Sequence, residues 1–311
     1  MTEPVTNQWN IGLVGYGEVG RILGEDLRKQ DLRVAAYDLK LDNGRAAALR
    51  DHAAAHGVAL AASHADLAAQ SDFIVSAVTA SQAVAVARAC APAVKPGAWF
   101  LDFNSASPGA KRRAAALIDG HGGRYVEGAV MTSIPPTRIK VPLLLGGEGA
   151  GDLAPLLAEL GFNAKVASAQ LGIASAVKMC RSVMIKGFEA MVIESFTTAR
   201  AYGVEDAVLA SLSETFPGID WEKQGAYFFQ RVIEHGRRRA EEVREAAQTV
   251  HEIGLEPWSA QGTAERQAWV ADLADAGLFG AKGGQGFARS PDWRTEADRI
   301  LAGIKDGKPR N

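Results

Sequence analysis

The chain is predicted to fold as an α/β domain over residues 1–167 followed by an all-helical domain over residues 168–311. Three observations carry this. In the first half, short β-branched runs alternate with alanine-rich helical stretches. A glycine-rich turn joins the first strand-length run to the first helical stretch. After about Ala167 the strand-like runs stop and long helical stretches replace them. A length of 311 residues agrees with roughly two domains of about 150 residues each.

Taken in order, Asn10–Gly15 reads as a strand and Glu18–Lys29 as a helix. Arg33–Tyr37 is a second strand and Asn43–His56 a second helix. Phe73–Val78 and Trp99–Phe103 are apolar runs of strand length, and Ala80–Ala91 between them has helical composition and stops near Pro92. Tyr125–Ala129 and Val141–Leu145 are later strands, separated by a loop with Pro135 and Pro136. This rhythm argues for a parallel sheet covered by helices on both faces. Leu171–Tyr202 has helical patterning without proline and exceeds the usual helix length of about 8–20 residues, so it is expected to span the domain junction. Trp221–Ile253 and Ala260–Ala276 are further helices, and the glycine-rich tail from Lys282 is read as a loop plus a short helix.

Composition excludes several classes. A charged share of 23% with 47% hydrophobic residues rules out wholesale disorder. A net charge of −2 argues against a nucleic-acid partner. No apolar run reaches the ~18 residues that span a bilayer, so no membrane partner is expected. Residues Met1–Asn10 carry neither a basic nor an apolar signal region, and Cys90 and Cys180 form no CxxC. A cytoplasmic location is therefore expected. The histidines form no HExxH-type pair, and no metal is expected.

Gly15-Tyr16-Gly17-Glu18-Val19-Gly20 is a GxGxxG placed between a strand and a helix, the context that gives this short pattern its specificity. Gly15 permits the tight turn, Gly17 lets the backbone approach a pyrophosphate, and Gly20 lets helix and strand pack closely. The helix N-terminus offers free N–H groups to phosphate. Asp38 ends the second strand 18 residues past the last glycine, where an acid takes the ribose hydroxyls of a dinucleotide. A Rossmann domain is therefore predicted, with Gly15 to Gly20, Asp38, Val78 and Thr79 assigned to the cofactor. The plain alternative is a glycine turn without a nucleotide. Asp38 favours NAD over NADP, because a carboxylate repels a 2′-phosphate. Lys40 and Arg45 just downstream keep NADP open, unless both are ordinary surface cations.

Three further segments match one superfamily. Leu101-Asp102-Phe103-Asn104-Ser105-Ala106-Ser107-Pro108 resembles the substrate-binding segment of β-hydroxyacid dehydrogenases. Val126-Glu127-Gly128-Ala129-Val130-Met131 resembles their following strand, and Gly172-Ile173-Ala174-Ser175-Ala176-Val177-Lys178 their catalytic helix. The chain thus resembles the 6-phosphogluconate dehydrogenase and β-hydroxyacid dehydrogenase superfamily. That resemblance implies a Rossmann domain, a helical second domain and a homodimer joined through the helices. The sequence departs from the main pattern at Arg181 and Ser182, where asparagines are usual, and at Thr132–Pro136, where a glycine-rich turn is usual. Its second half resembles a subgroup whose helical domain is of unknown function.

Hydride exchange with a nicotinamide needs a group that takes or returns the hydroxyl proton. Lys178 is the candidate, its pKa lowered by burial among Ile173, Ala174, Ala176, Val177 and Met179 and by Arg181 one turn on. The plain alternative is a solvated helix cation. Asn104 and Ser105 sit past a strand end, where α/β sheets bind ligands, and are assigned to substrate with Arg181 and Ser182. Turn-making and helix capping, with Pro108 at the first helical position, is the competing role of that segment. His235, Arg238, Arg239 and Glu242 share one helical face. They either clamp an anion, with His235 and Arg238 at the substrate, or form an exposed salt-bridged stripe. Lys186 and Glu189 are weaker candidates. Phe228, Phe229, Trp258 and Trp269 exceed what a small helical domain buries alone, which also argues for a homodimer. The function expected is an NAD(P)-dependent oxidoreductase acting on a small β-hydroxy acid or related alcohol, the substrate carrying a carboxylate. An imine reductase and a non-catalytic NAD sensor are the alternatives.

Overall fold

The computed structural model describes residues 5–42, 46–282, 284, 287 and 290–305. Arg45 lies outside the described residues, as do the first three residues of the helix expected from Asn43. The chain forms two compact units, Met1–Met179 and Cys180–Asn311. The expected boundary after residue 167 falls before the long helix; the units divide within it.

The first unit runs β1 (Asn10–Val14), α1 (Glu18–Arg28), β2 (Arg33–Tyr37), α2 (Ala47–His56), β3 (Ala59–Leu60), α3 (His64–Gln70), β4 (Phe73–Ser76) and α4 (Ala83–Cys90). It continues with β5 (Trp99–Asp102), α5 (Pro108–Asp119), β6 (Arg124–Val130), β7 (Pro142–Gly146), α6 (Ala150–Glu159) and β8 (Asn163–Ser168). Among the described residues one eight-stranded sheet has the order β3-β2-β1-β4-β5-β6-β7-β8. All neighbours are parallel except β6 and β7. The order reverses between β1 and β4, and such a switch point opens a crevice at the carboxyl ends of the strands. Strands buried on both faces read as continuous apolar runs, and Phe73, Ile74, Val75, Phe100 and Leu101 are almost wholly buried.

Within the first unit the sequence expectation misses β3, α3, α6 and β8. β3 has two residues, too few for a pattern, and β8 is largely exposed at the sheet edge. α5 starts at Pro108 with Ser107 as its N-cap, whose Oγ accepts from the Ala110 amide at 3.3 Å, so the capping role expected of this segment is real.

Helix α7 (Ile173–Tyr202) begins in the first unit and continues into the second. The second unit then has α8 (Glu205–Thr215), α9 (Trp221–His251), α10 (Trp258–Asp275) and α11 (Trp293–Lys305). Its core joins Phe196, Trp221, Phe229 and Trp293, with the Phe196 and Trp293 rings 4.8 Å apart. This corrects one expectation. Phe229 is buried and Phe228 and Trp269 pack against the same core, so only Trp258, 77% exposed, is left outside. The exposed apolar side chains instead include Met184, Met191 and Tyr202 of α7. No helix among the described residues is long and apolar enough to cross a membrane.

Candidate functional site

Gly15 follows β1 with φ +87°, a conformation that strains any side chain, and a Cβ there would meet the Ala77 carbonyl oxygen at 2.4 Å. A Cβ on Gly20 would lie 2.0 Å from the Gly15 carbonyl oxygen, so the turn and α1 meet without room for a methyl group. Gly17 differs: a Cβ there would meet nothing within 4 Å. It is the N-cap of α1 and offers no side-chain cap, which leaves the helix N-terminus for an outside acceptor. Glu18 is exposed and Val19 half-buried beside it. The turn therefore leaves open backbone at Gly17 and uncapped amides at the start of α1.

Tyr16 is placed otherwise than a ligand-touching residue. Its side chain is fully buried, its hydroxyl lies 2.9 Å from His52 Nδ1, and its amide donates to Asp38 Oδ2 at 2.9 Å. Burial pushes that hydroxyl's pKa up to about 12, so it stays neutral. Asp38, half-buried after β2, also accepts from the Lys40 amide through Oδ1 at 2.9 Å. These two bonds fix the carboxylate beside the glycine turn. Lys40 is exposed.

The ends of β4 and β5 are tied together by Asn104. Its Nδ2 donates to Ser76 Oγ at 2.9 Å, its Oδ1 accepts from the Val78 amide at 2.7 Å, and its own amide donates to Asp102 Oδ1 at 2.8 Å. At 3% exposure, Asn104 shapes the crevice wall rather than presenting itself to a ligand. It also sets the backbone at Val78, which is half-buried, ahead of exposed Thr79.

Ser105 follows, half-buried, and Lys178 Nζ donates to its Oγ at 2.6 Å. The sequence names both residues, but not what aligns them. Glu127 is fully buried on β6. Its Oε1 accepts from the amides of Gly172 and Ala174 at 2.7 and 3.1 Å, and its Oε2 from Ser175 at 3.3 Å. A carboxylate at the positive end of a helix is doubly favoured, by these bonds and by the dipole. It anchors the start of α7 one turn before Lys178. Beneath Ser105, Asp102 and Lys111 form a buried ion pair at 3.0 Å, and Tyr125 donates to Asp102 Oδ2 at 2.6 Å. The available signal was a charged residue inside an otherwise apolar strand run, which marks Glu127 and Asp102 alike.

Expected burial around Lys178 is only partial: Ile173 and Val177 are 37% and 45% exposed, and Lys178 itself is half-buried. The apolar neighbours alternate around the helix instead of enclosing it. In the second unit Arg181 is exposed and Ser182 buried.

The expected stripe on α9 divides there. Arg239 is buried and pairs with buried Glu189 of α7. Glu242 accepts from Lys186 Nζ at 2.6 Å and lies 3.9 Å from Arg238, so it holds a lysine before it orients an arginine. Gln267 Nε2 donates to Glu189 Oε2 at 3.2 Å and to the Lys186 carbonyl at 3.3 Å. Burial lowers the Lys186 pKa, opposed by Glu242. His235 is partly exposed, and burial with Arg231, Arg238 and Arg239 nearby lowers its pKa against the pull of Glu234.

Residues 10–149 match the NAD binding domain of 6-phosphogluconate dehydrogenase, and residues 199–270 match a domain of unknown function (DUF1932). A conserved hypothetical protein from Sinorhizobium meliloti is 38% identical, with 96% of this chain and 100% of that one covered and a TM-score of 0.74. The 3-hydroxyisobutyrate dehydrogenase of Mycobacterium tuberculosis, solved with L-serine, is 17% identical over 94% of this chain and 99% of that one, TM-score 0.68. An imine reductase variant from Myxococcus stipitatus, solved with NAD+, is 18% identical over 93% and 99%, TM-score 0.53. The last two likenesses are of fold. The chain belongs to the group that joins the NAD-binding domain of 6-phosphogluconate dehydrogenase to a domain of unknown function, here helical.

Proposed function

We propose that the protein is an NAD(P)-dependent dehydrogenase of a small β-hydroxy acid or related alcohol, with Lys178 as the proton-transfer residue. The observation that carries this is the 2.6 Å bond from Lys178 Nζ to Ser105 Oγ at the carboxyl end of β5. It sets a lysine and a hydroxyl together where an open α/β sheet receives its ligand.

The backbone of Gly15, Gly17, Glu18, Val19 and Gly20 would hold the cofactor pyrophosphate, with Val78 and Thr79 lining the neighbouring strand end. Asp38 would take the ribose diol: its oxygens each accept one backbone amide and keep a lone pair for a hydroxyl. That fixed negative charge favours NAD over NADP. When bound, the nicotinamide supplies the hydride acceptor or donor. Ser105 orients the substrate hydroxyl, and Lys178 Nζ takes its proton during oxidation or returns it during reduction. As substrate-binding candidates of the second unit we propose the exposed cations Arg181 and Arg238, the partly exposed ring of His235 and, more weakly because it is buried, Ser182, with a substrate carboxylate as the expected ligand. We also propose a homodimer, with the exposed Met184, Met191 and Tyr202 face of α7 as the contact.

Imine reduction is the second reading, supported by the fold likeness to an imine reductase. A non-catalytic NAD sensor is the third. One screen separates them: β-hydroxy acids and cyclic imines are each offered with NAD and with NADP, and reduced nicotinamide is followed by absorbance. Turnover of hydroxy acids is expected. Turnover of imines alone, or tight NAD binding without turnover of either panel, overturns the proposal.

A further inference from the structure

We infer that Glu25, His52 and His56 form a binding site for a divalent transition-metal ion such as Zn2+, away from the Lys178–Ser105 pair. One ligand atom from each of these side chains lies within 4.8 Å of the others, and among the described residues no other trio of His, Cys, Asp or Glu does this. His52 and His56 are four apart on α2, which puts both rings on one helical face, and their centroids are 4.4 Å apart. Glu25 reaches in from α1, with Oε1 3.0 Å from His52 Nε2. Two coordinating atoms of one small ion stand at about that separation, given metal–ligand distances of about 2.0–2.2 Å. His56 is exposed, so its ring is free to turn the remaining distance.

The surroundings suit metal ligands more than a bare ion pair. An imidazole that binds metal through Nε2 carries its proton on Nδ1 and normally donates it to a partner. The Tyr16 hydroxyl stands 2.9 Å from His52 Nδ1 as that acceptor. Glu25 uses its two oxygens differently: Oε2 accepts from Arg138 at 2.7 Å, while Oε1 faces the histidines. The Arg138 charge is in turn matched by Asp26, which accepts from its Nε at 2.9 and 3.0 Å. Two imidazoles and one carboxylate oxygen suit a borderline divalent ion, with water completing its shell. Because Tyr16 belongs to the glycine turn, the ion would clamp α1 to α2 behind that turn. The expectation of no metal rests on the absence of an HExxH-type pair, whose glutamate lies on the same helix as its histidines, whereas here the carboxylate comes from another element.

The test is calorimetric titration of the chelator-treated full chain with Zn2+ alone, beside thermal unfolding with and without Zn2+. One ion per chain is expected, with a Kd tighter than about 100 µM and a rise in Tm. His56→Gln, a change at an exposed ring, should weaken binding at least about tenfold and remove the Tm rise. His52→Gln should do the same, Glu25→Gln should weaken binding by a similar factor, and His121→Gln should bind as the parent does. Unfolding without metal checks that each variant is folded. No binding at that strength, binding unchanged in His56→Gln, or binding that survives Glu25→Gln intact each overturns the three-ligand site.

Discussion

Lys178 and Lys186 lie eight residues apart on one helix and are held in opposite ways. Lys178 is half-buried and donates to the Ser105 hydroxyl at 2.6 Å. Lys186 is 6% exposed and donates to the Glu242 carboxylate, in a cluster where Arg239 and Glu189 form a second ion pair. The same contrast runs through the two units. Carboxylates near the sheet edge of the first unit accept backbone amides, as Glu127 and Asp38 do, and so position chain segments. Charges between the helices of the second unit neutralise each other. A buried charge pair of that kind is costly to break and says little about chemistry, whereas the lysine beside a hydroxyl at the carboxyl edge is the arrangement on which the proposed proton transfer rests.

The largest effect expected from this contrast is kinetic. Lys178→Ala should lower kcat by about 10²–10⁴-fold on a verified substrate while leaving the Kd for NAD unchanged. Lys178→Arg should rescue poorly, because a guanidinium does not release its proton near neutral pH. Steady-state rates together with cofactor titration check both. Near-parental kcat in the alanine variant would erase the distinction between the two lysines.

Next comes stability in the second unit. Arg239→Met leaves Glu189 buried without its partner and should cost about 3–5 kcal/mol, read from urea unfolding, with no change in NAD affinity. A loss below ~1 kcal/mol would mean that Gln267 and relaxation satisfy Glu189 unaided.

A smaller effect sharpens the reading of the first unit. Asp38→Asn should shift the ratio of NAD to NADP affinity toward NADP by about tenfold, or ~1.4 kcal/mol. Parental protein that binds NADP tenfold more tightly than NAD would assign recognition to Lys40 or its neighbours instead.

The smallest is a pH effect at His235. Its folded-state pKa is lowered, so the unfolded chain binds the proton more readily in the window from that lowered value up to the ordinary 6.5. Stability should therefore fall as pH drops through 6.5. His235→Gln should flatten the fall, measured by urea midpoints at a series of pH values. An unchanged pH profile would place the titration elsewhere.

What the sequence by itself determined was local in range. The strand–glycine turn–helix at residues 10–28, the strands Arg33–Tyr37 and Trp99–Asp102, and the long helices α7, α9 and α10 follow from apolar periodicity and turn residues, which act over a few neighbours. Gly15, Gly17 and Gly20 were legible through their spacing between a strand and a helix, although the Ala77 carbonyl that crowds Gly15 comes from a distant element. Lys178 and Ser105 were legible individually through the resemblance their segments carry. Only the tertiary structure decided that they meet, because 73 residues separate them and Glu127, from a third element, fixes the helix that brings them together. It also decided that Asn104 ties two strands, that Tyr16 faces the core, and that Arg239 pairs inward rather than lining a clamp. Charge patterns along one helix show which side chains share a face, but not what packs against that face. Burial and pairing across elements therefore enter only when the chain is folded.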